Sequence, residues 1–499
     1  MNIDEILNTL SLEEKIAQMF IMGFTGDDLD SNILNAVRAG LGGIIFFAEN
    51  IKSIDQTAKL IQNLQKSARV PLFMSIDQEG GLVERTINCT EKIEYLTPMA
   101  LSGKIQNVEI HTQIMAKELK ALNINMDFAP VLDVNTNKYN PIIGIRSFSS
   151  NPDEVIKYSE PVYRILNKNN IIAVGKHFPG HGEAGIDSHK DMPSIELGFN
   201  QLDAHIKPFK KAIENGLDAI MVAHVHYSAF NSTKIPASMS KEVITDYLKD
   251  KLNFKGLIIS DDMVMGGIAN HYDRLSACIQ AINAGIDILI FRDSTDENMA
   301  LIDKLVIATK NGDIQQERIN ESVEKILLYK EKYNILAGKN NKPEILDINK
   351  EQDIINKIAV ETIKIERKGN LIPLDKSKKI LVLSPDNSQI HSYAKNSCKI
   401  SDFLDNTEIN YPINPTSDEI EILVKQAQAY ETVIFICYNA ILNTGQIELF
   451  NSINKPIIAI ASGIPYDAEK FNKADSILIS FGYKTPAIKA LANILSDQA

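Results

Sequence analysis

The chain has 499 residues, of which 44% are hydrophobic and 23% charged, ordinary globular values that exclude collagen-like, disordered and membrane-resident classes. A formal net charge of −12 repels polyanions, so nucleic acid is not an expected partner. Two domains are expected, because one core seldom organises this many residues.

The first residues, MNIDEILNTLSLEEKIAQ, are acidic and lack a basic stretch followed by an apolar run. No later segment holds the ~18 consecutive apolar residues that a spanning helix requires. The expectation is a cytoplasmic protein without a membrane partner. Cys89, Cys278, Cys398 and Cys437 stand far apart without CxxC or mixed Cys/His spacing, which predicts buried or idle thiols in place of a disulfide framework or a zinc site.

In chain order, short apolar runs predict strands at KIAQMFIMGF, GLGGIIFF, PLFMSID, INMDFAPVLDV, IIAVGKH, DAIMVAHV, GLIISDD and GIDILIF. Between them, residues 53–66, 153–168, 200–215, 241–252 and 274–284 repeat apolar side chains every three or four positions, as amphipathic helices do. Strand and helix in alternation predict a parallel sheet, and eight units suffice to close a (β/α)8 TIM-type barrel over residues 1–337.

After a helical stretch near 315–333, residues 338–352 are polar with little periodicity and predict a linker. Beyond it KKILVLSPD, TVIFICYN, PIIAIASG and SILISFGY alternate with helical patterns at 417–429 and 485–495, predicting a smaller α/β sandwich over 353–499. GNLIPL and ASGIP lack the glycine spacing that cradles phosphates, so no nucleotide cofactor is expected.

In such barrels the chemistry sits at the C-terminal ends of the strands. Asp77, Asp133, Lys176 with His177, His224, Asp261 and Arg292 with Asp293 each stand at such an end, and are predicted to face one pocket. Following the fifth run, KHFPGHGEAGIDSHKDMP has the Gly and Pro content of a fixed loop. His177, His181 and His189 match no usual zinc spacing, so neither a metal nor any other cofactor is expected. An extended backbone would send Asp187 and His189 to the same side, where the carboxylate orients the imidazole for acid/base work. Lys176 and His177 would donate to substrate.

In GLIISDDMVMGGI, strand alternation lets only one of Asp261 and Asp262 point into the barrel mouth. One inward carboxylate facing a histidine acid/base is suited to covalent glycoside cleavage. In SIDQEGGLVERT, Asp77 ends a strand and the Gly80-Gly81 turn lets Arg85 fold back over the same mouth, where the carboxylate can grip vicinal hydroxyls. NPIIGIRSFSSNP offers Arg146 in a proline-bounded loop.

Taken together these four motifs resemble, in their order and over most of the first domain, the N-acetylglucosaminidase branch of glycoside hydrolase family 3. The resemblance implies a retaining, exo-acting β-N-acetylglucosaminidase with His189 as acid/base, Asp187 as its partner and Asp261 as nucleophile. It implies sugar binding by Asp77, Arg85, Arg146, Lys176 and His177, and a barrel followed by an α/β sandwich. The implied substrate is a small N-acetylglucosamine-containing carbohydrate, such as a muropeptide disaccharide in cell-wall recycling. β-Glucosidases of that family take their acid/base glutamate from the second domain and lack the DSH stretch. Ile145, Leu82 and Ser228 depart from residues frequent in those relatives. Two alternatives stand beside this reading. A glycoside phosphorylase is one, because an imidazole does not repel phosphate as a carboxylate does; a sugar-binding module without turnover is the other.

Overall fold

The eight apolar runs form eight parallel strands of a closed barrel in the computed structural model, which describes residues 3–338, 346–390 and 398–497. They are β1 (Phe20–Met22), β2 (Gly43–Phe46), β3 (Phe73–Ile76), β4 (Met126–Asp127), β5 (Ile172–Phe178), β6 (Ala219–Val222), β7 (Leu257–Asp262) and β8 (Ile288–Phe291). Each pairs with the next, and β8 closes on β1 with Leu289 opposite Phe20. Helices cover the outside of the barrel while side chains fill its inside, so most of these strands are buried throughout and read as unbroken apolar runs.

The predicted helices lie at Ile54–Ser67, Pro152–Lys168, Phe199–Glu214, Glu242–Lys251 and Arg274–Ala284. Side-chain caps start three of them: Ser53 accepts the Gln56 N–H, Asn151 the Asp153 N–H and Asp273 the Ser276 N–H. Glu242–Lys251 is wound as a π-helix, which periodicity alone does not reveal.

Two strands carry an extra residue at their C-terminal ends. On β5, Gly175 lies opposite Ile220 and Phe178 opposite Val222; on β7, Ile259 lies opposite Ile288 and Asp262 opposite Ile290. Three steps on one strand therefore match two on its neighbour, a bulge that breaks the alternation of side chains. Both bulges sit at the barrel mouth.

The second domain is a six-stranded sheet of β9 (Lys364–Arg367), β10 (Ile380–Pro385), β11 (Thr407–Tyr411), β12 (Thr432–Cys437), β13 (Ile457–Ala461) and β14 (Ser476–Ile479), in the order β9-β14-β13-β12-β10-β11. Only β9 runs antiparallel. The two edge strands escape sequence reading because KIER is exposed throughout and only Tyr411 of TEINY is buried.

Of the expected linker, residues 339–345 lie outside the described residues, and its last part is not a linker. A helix capped by Asp347 spans Ile348–Thr362. Its Ile355, Ile358 and Ala359 join the barrel core, together with Ala490 of the final helix Thr485–Leu495. The polar face of this helix masks the three- and four-residue spacing of those apolar positions. A second contact between the domains is the cluster of Leu82, Met99 and Ile145 with Tyr438, Ile441, Ile464 and Tyr483. Among the described residues no helix is long and apolar enough to cross a membrane.

Candidate active site

A cavity of about 360 Å3 opens at the C-terminal mouth of the barrel, and Asp77, Arg85, Arg146, Lys176, His177, Asp187, His189 and Asp261 all line it. Asp133, His224 and Asp293, expected to face the same space, do not line it. Asp293 accepts from the Asn298 side chain at 2.6 Å and serves the start of the next helix. The other two lie behind the wall and orient it.

The floor is a lattice of alternating charge. Lys176, at the β5 bulge, donates to Asp77 at 2.7 Å and to Glu79 at 2.6 Å. Arg146 grips Glu79 with two hydrogen bonds of 2.9 and 2.8 Å, the bidentate geometry that makes such pairs strong. Arg85 approaches Asp77 at 3.4 Å. Burial alone would neutralise these groups, but the Arg146 and Lys176 charges hold Glu79 far below the carboxylate range. Against the same burial, Asp77 and Glu79 raise Lys176, and Lys176 and Arg85 lower Asp77. Glu79 was not singled out in the sequence. It stands two residues after Asp77, and the spacing argument applied to Asp187 and His189 would have found it.

His177 is held from behind. Its Nδ1 lies 2.7 Å from Asp133 Oδ2, and Asp133 also takes the backbone N–H groups of His177 and His181. Because an ionised carboxylate only accepts, Nδ1 carries the proton and Nε2 remains for the cavity. The bulge lets Lys176 and His177 both reach the mouth although they are adjacent.

His189 and Asp187 meet through a turn and not through extended backbone. The Asp187 carboxylate accepts the His189 N–H at 2.9 Å, and the Asp187 carbonyl accepts the Lys190 N–H at 3.0 Å. An aspartate that bonds the backbone two residues on forms such a turn by itself, which is why the extended expectation fails while the pairing survives. His189 Nδ1 then lies 2.8 Å from Asp187 Oδ1. That hydrogen bond raises the imidazole pKa against the opposing effect of burial, and the charge of Asp261 adds to it. The loop rests on the segment after β7: Gly266 N–H donates to His189 O and Gly267 N–H to Ser188 O, at 3.2 and 3.0 Å.

Asp261 and Asp262 both line the cavity, contrary to strict alternation, because the β7 bulge falls between Ile259 and Asp262. Their states differ. Burial works to raise Asp261, yet His177, His224, His189 and the Asp262 N–H, which donates at 2.8 Å, bring it down to about 2. Burial pushes Asp262 up to about 7, and its Oδ1 accepts the backbone N–H groups of Val264 and Arg292. His224 is fixed between Ser238 Oγ at 2.7 Å and the Asp262 carbonyl at 3.1 Å. Beside the cation-paired carboxylates of its polar floor, which is fit for hydroxyl groups, the cavity therefore presents the ionised Asp261 and an oriented, protonatable imidazole. Such a set can carry out nucleophilic displacement with proton transfer to the departing oxygen.

The profile of the glycosyl hydrolase family 3 N-terminal domain matches residues 11–328. The chain belongs to glycosyl hydrolase family 3. This family 3 hydrolase is 30% identical over 408 residues to beta-hexosaminidase A of Pseudoalteromonas piscicida, covering 73% of this chain and 67% of that one. It is 34% identical over 309 residues to a beta-hexosaminidase of Tolumonas auensis, covering 58% of this chain and 90% of that one. Its fold superposes with TM-score 0.91 on a family 3 beta-N-acetylglucosaminidase of Paenibacillus sp. str. FPU-7, at 29% identity over 98% of this chain and 97% of that one. The protein is thus a glycoside hydrolase acting on a carbohydrate, built as a barrel followed by an α/β sandwich.

Proposed function

We propose that this family 3 hydrolase is a retaining, exo-acting β-N-acetylglucosaminidase that works through a glycosyl-Asp261 intermediate. The observation that carries the proposal is the cavity shared by Asp261, held ionised, and His189, whose Nδ1 is taken by Asp187. The names of the Pseudoalteromonas and Paenibacillus relatives support the sugar.

In the first step the Asp261 carboxylate attacks the anomeric carbon while protonated His189 gives its Nε2 proton to the departing oxygen. Asp187 stabilises the imidazolium beforehand. In the second step neutral His189 takes a proton from water, which displaces Asp261 and leaves the β configuration unchanged. Asp77, Arg85, Arg146, Lys176 and His177 hold the terminal sugar: carboxylate oxygens accept from its hydroxyls, the cations donate, and His177 Nε2, whose ring proton sits on Nδ1, accepts from a hydroxyl instead of donating as expected. The natural aglycone in this reading is the muramic part of a muropeptide disaccharide, met in the cytoplasm during cell-wall recycling.

The deciding experiment incubates the enzyme with 4-nitrophenyl N-acetyl-β-glucosaminide and follows the product by NMR. β-N-acetylglucosamine as the first product, with a mass-shifted peptide containing Asp261, supports the proposal; an α product sinks it. Formation of N-acetylglucosamine-1-phosphate when phosphate is present would favour the phosphorylase reading, which the imidazole acid/base keeps open. Higher kcat/KM on a muropeptide disaccharide than on chitobiose supports the aglycone.

A further inference from the structure

The hairpin over residues 79–86 closes one side of the active-site cavity, with Glu79, Leu82, Val83 and Arg85 on its wall. Its turn is made by Gly80 and Gly81, both at positive φ, with the Glu79 and Gly80 N–H groups donating to Val83 O. Glu84 holds the turn from outside the cavity: one carboxylate oxygen accepts the Gly81 N–H at 2.7 Å and the Tyr95 N–H at 3.0 Å. The other oxygen accepts from Lys484 Nζ at 2.7 Å. Lys484 lies in the second domain, at the start of helix Thr485–Leu495. Both side chains are almost fully buried, at 7% and 1% exposure.

We propose that Lys484 is a positioning residue for sugar binding, through which the second domain sets the hairpin that carries Glu79 and Arg85. The inference rests on the reading of this hairpin as part of the sugar site. Lys484 reaches the one carboxylate that ties the Gly81 turn to Tyr95, so its charge acts on the geometry of that turn as well as on the joint between domains. Without it, Glu84 would be left as a buried carboxyl that burial pushes toward its protonated form. A protonated carboxyl is a weaker acceptor for the Gly81 and Tyr95 N–H groups. Displacement of the turn would then move Arg85 relative to Asp77, and Glu79 relative to Arg146 and Lys176. Other contacts hold the domains together independently: Thr97 Oγ1 donates to Phe481 O at 2.7 Å, and Glu94 accepts the Thr485 N–H at 3.1 Å.

The test uses the full-length enzyme as Lys484→Met, Lys484→Arg, Glu94→Ala and Arg85→Met variants, with thermal unfolding recorded for each. Lys484→Met is expected to raise KM for the aryl N-acetylglucosaminide by about tenfold with a smaller change in kcat, since misplaced binding groups act first on ground-state affinity. Hydrogen exchange of the peptide covering 78–86 should speed up in the same variant. Lys484→Arg should restore both, while Glu94→Ala, which loosens the joint, leaves Glu84 paired with Lys484 and removes a charge that works against the ionised form of Glu84, should change neither. If Lys484→Met does not fold, the double variant Glu84→Gln/Lys484→Met, which strands no charge, takes its place with the same expected KM. Unchanged exchange at 78–86 overturns the proposal. So does faster exchange with unchanged KM when Arg85→Met raises KM. If Arg85→Met itself leaves KM unchanged, the sugar-site reading falls and the proposal with it.

Discussion

Asp187 holds His189 at two points with one oxygen, accepting its backbone N–H at 2.9 Å and facing its ring Nδ1 at 2.8 Å. The same carboxylate thus orients the imidazole and raises its pKa. In the proposed first step His189 must be protonated, so kcat/KM on a disaccharide falls as pH rises through the folded-state pKa of this imidazole. Asp187→Asn removes the negative charge that raises it, and the falling limb should move to lower pH. A limb that stays in place in this variant would mean that the pH profile reports another group.

The difference between Asp261 and Asp262 predicts unequal mutants. Asp261→Asn should lower kcat on the order of a thousandfold or more, because an amide cannot form the glycosyl-enzyme. Asp262→Asn should cost far less: its oxygen still accepts from Val264 and Arg292, and the residue it replaces is held up at about 7. Steady-state rates with folding checked by circular dichroism separate the two, and a reversed order would place the nucleophile at Asp262.

Gly266 allows the His189 loop to dock against the segment after β7. A Cβ there would stand 2.5 Å from Lys190 O and 2.8 Å from His189 O, too close for the loop to remain. Gly266→Ala should therefore lower kcat on a disaccharide by about tenfold or more, through a misplaced proton donor, while global stability falls only slightly. Equal losses on disaccharide and 4-nitrophenyl glycoside would argue against displacement of the acid.

Chelators should leave the rate unchanged. Asp77 and Glu79, the acidic groups of the floor, already spend their charge on Lys176, Arg146 and Arg85, and the proposed chemistry uses imidazole and carboxylate alone. A loss in EDTA that a divalent ion restores would contradict this assignment of the floor.

The barrel was legible in the sequence because each strand is buried on both faces and each flanking helix on one, which writes two distinct periods into the chain. The mouth was legible where polar side chains interrupt those strands. What alternation could not supply were the two bulges, since an extra residue leaves no trace in an apolar pattern; they account for Lys176 beside His177 and for Asp261 beside Asp262. Asp133 and His224 read like the other strand-end polar residues, yet their partners turn them away from the cavity, and only a folded chain has those partners. Lys484 lies hundreds of residues from Glu84, and nothing local marks it.

His189 should have two measurable tasks. In the first half-reaction the proton it gives matters more as the leaving group becomes more basic. 4-Nitrophenolate departs without help, whereas a sugar oxygen does not, so His189→Ala should slow glycosylation much more with a disaccharide than with the aryl glycoside. In the second half-reaction the missing base slows attack by water, so on activated substrates the variant should accumulate glycosyl-enzyme and show a burst of 4-nitrophenolate. Azide needs no deprotonation and should restore turnover while yielding the β-glycosyl azide. Asp187→Ala should follow the same pattern more mildly, because the imidazole remains but loses its orientation and part of its basicity. Equal losses on both substrates with no response to azide would make His189 a binding residue and require another source for the proton.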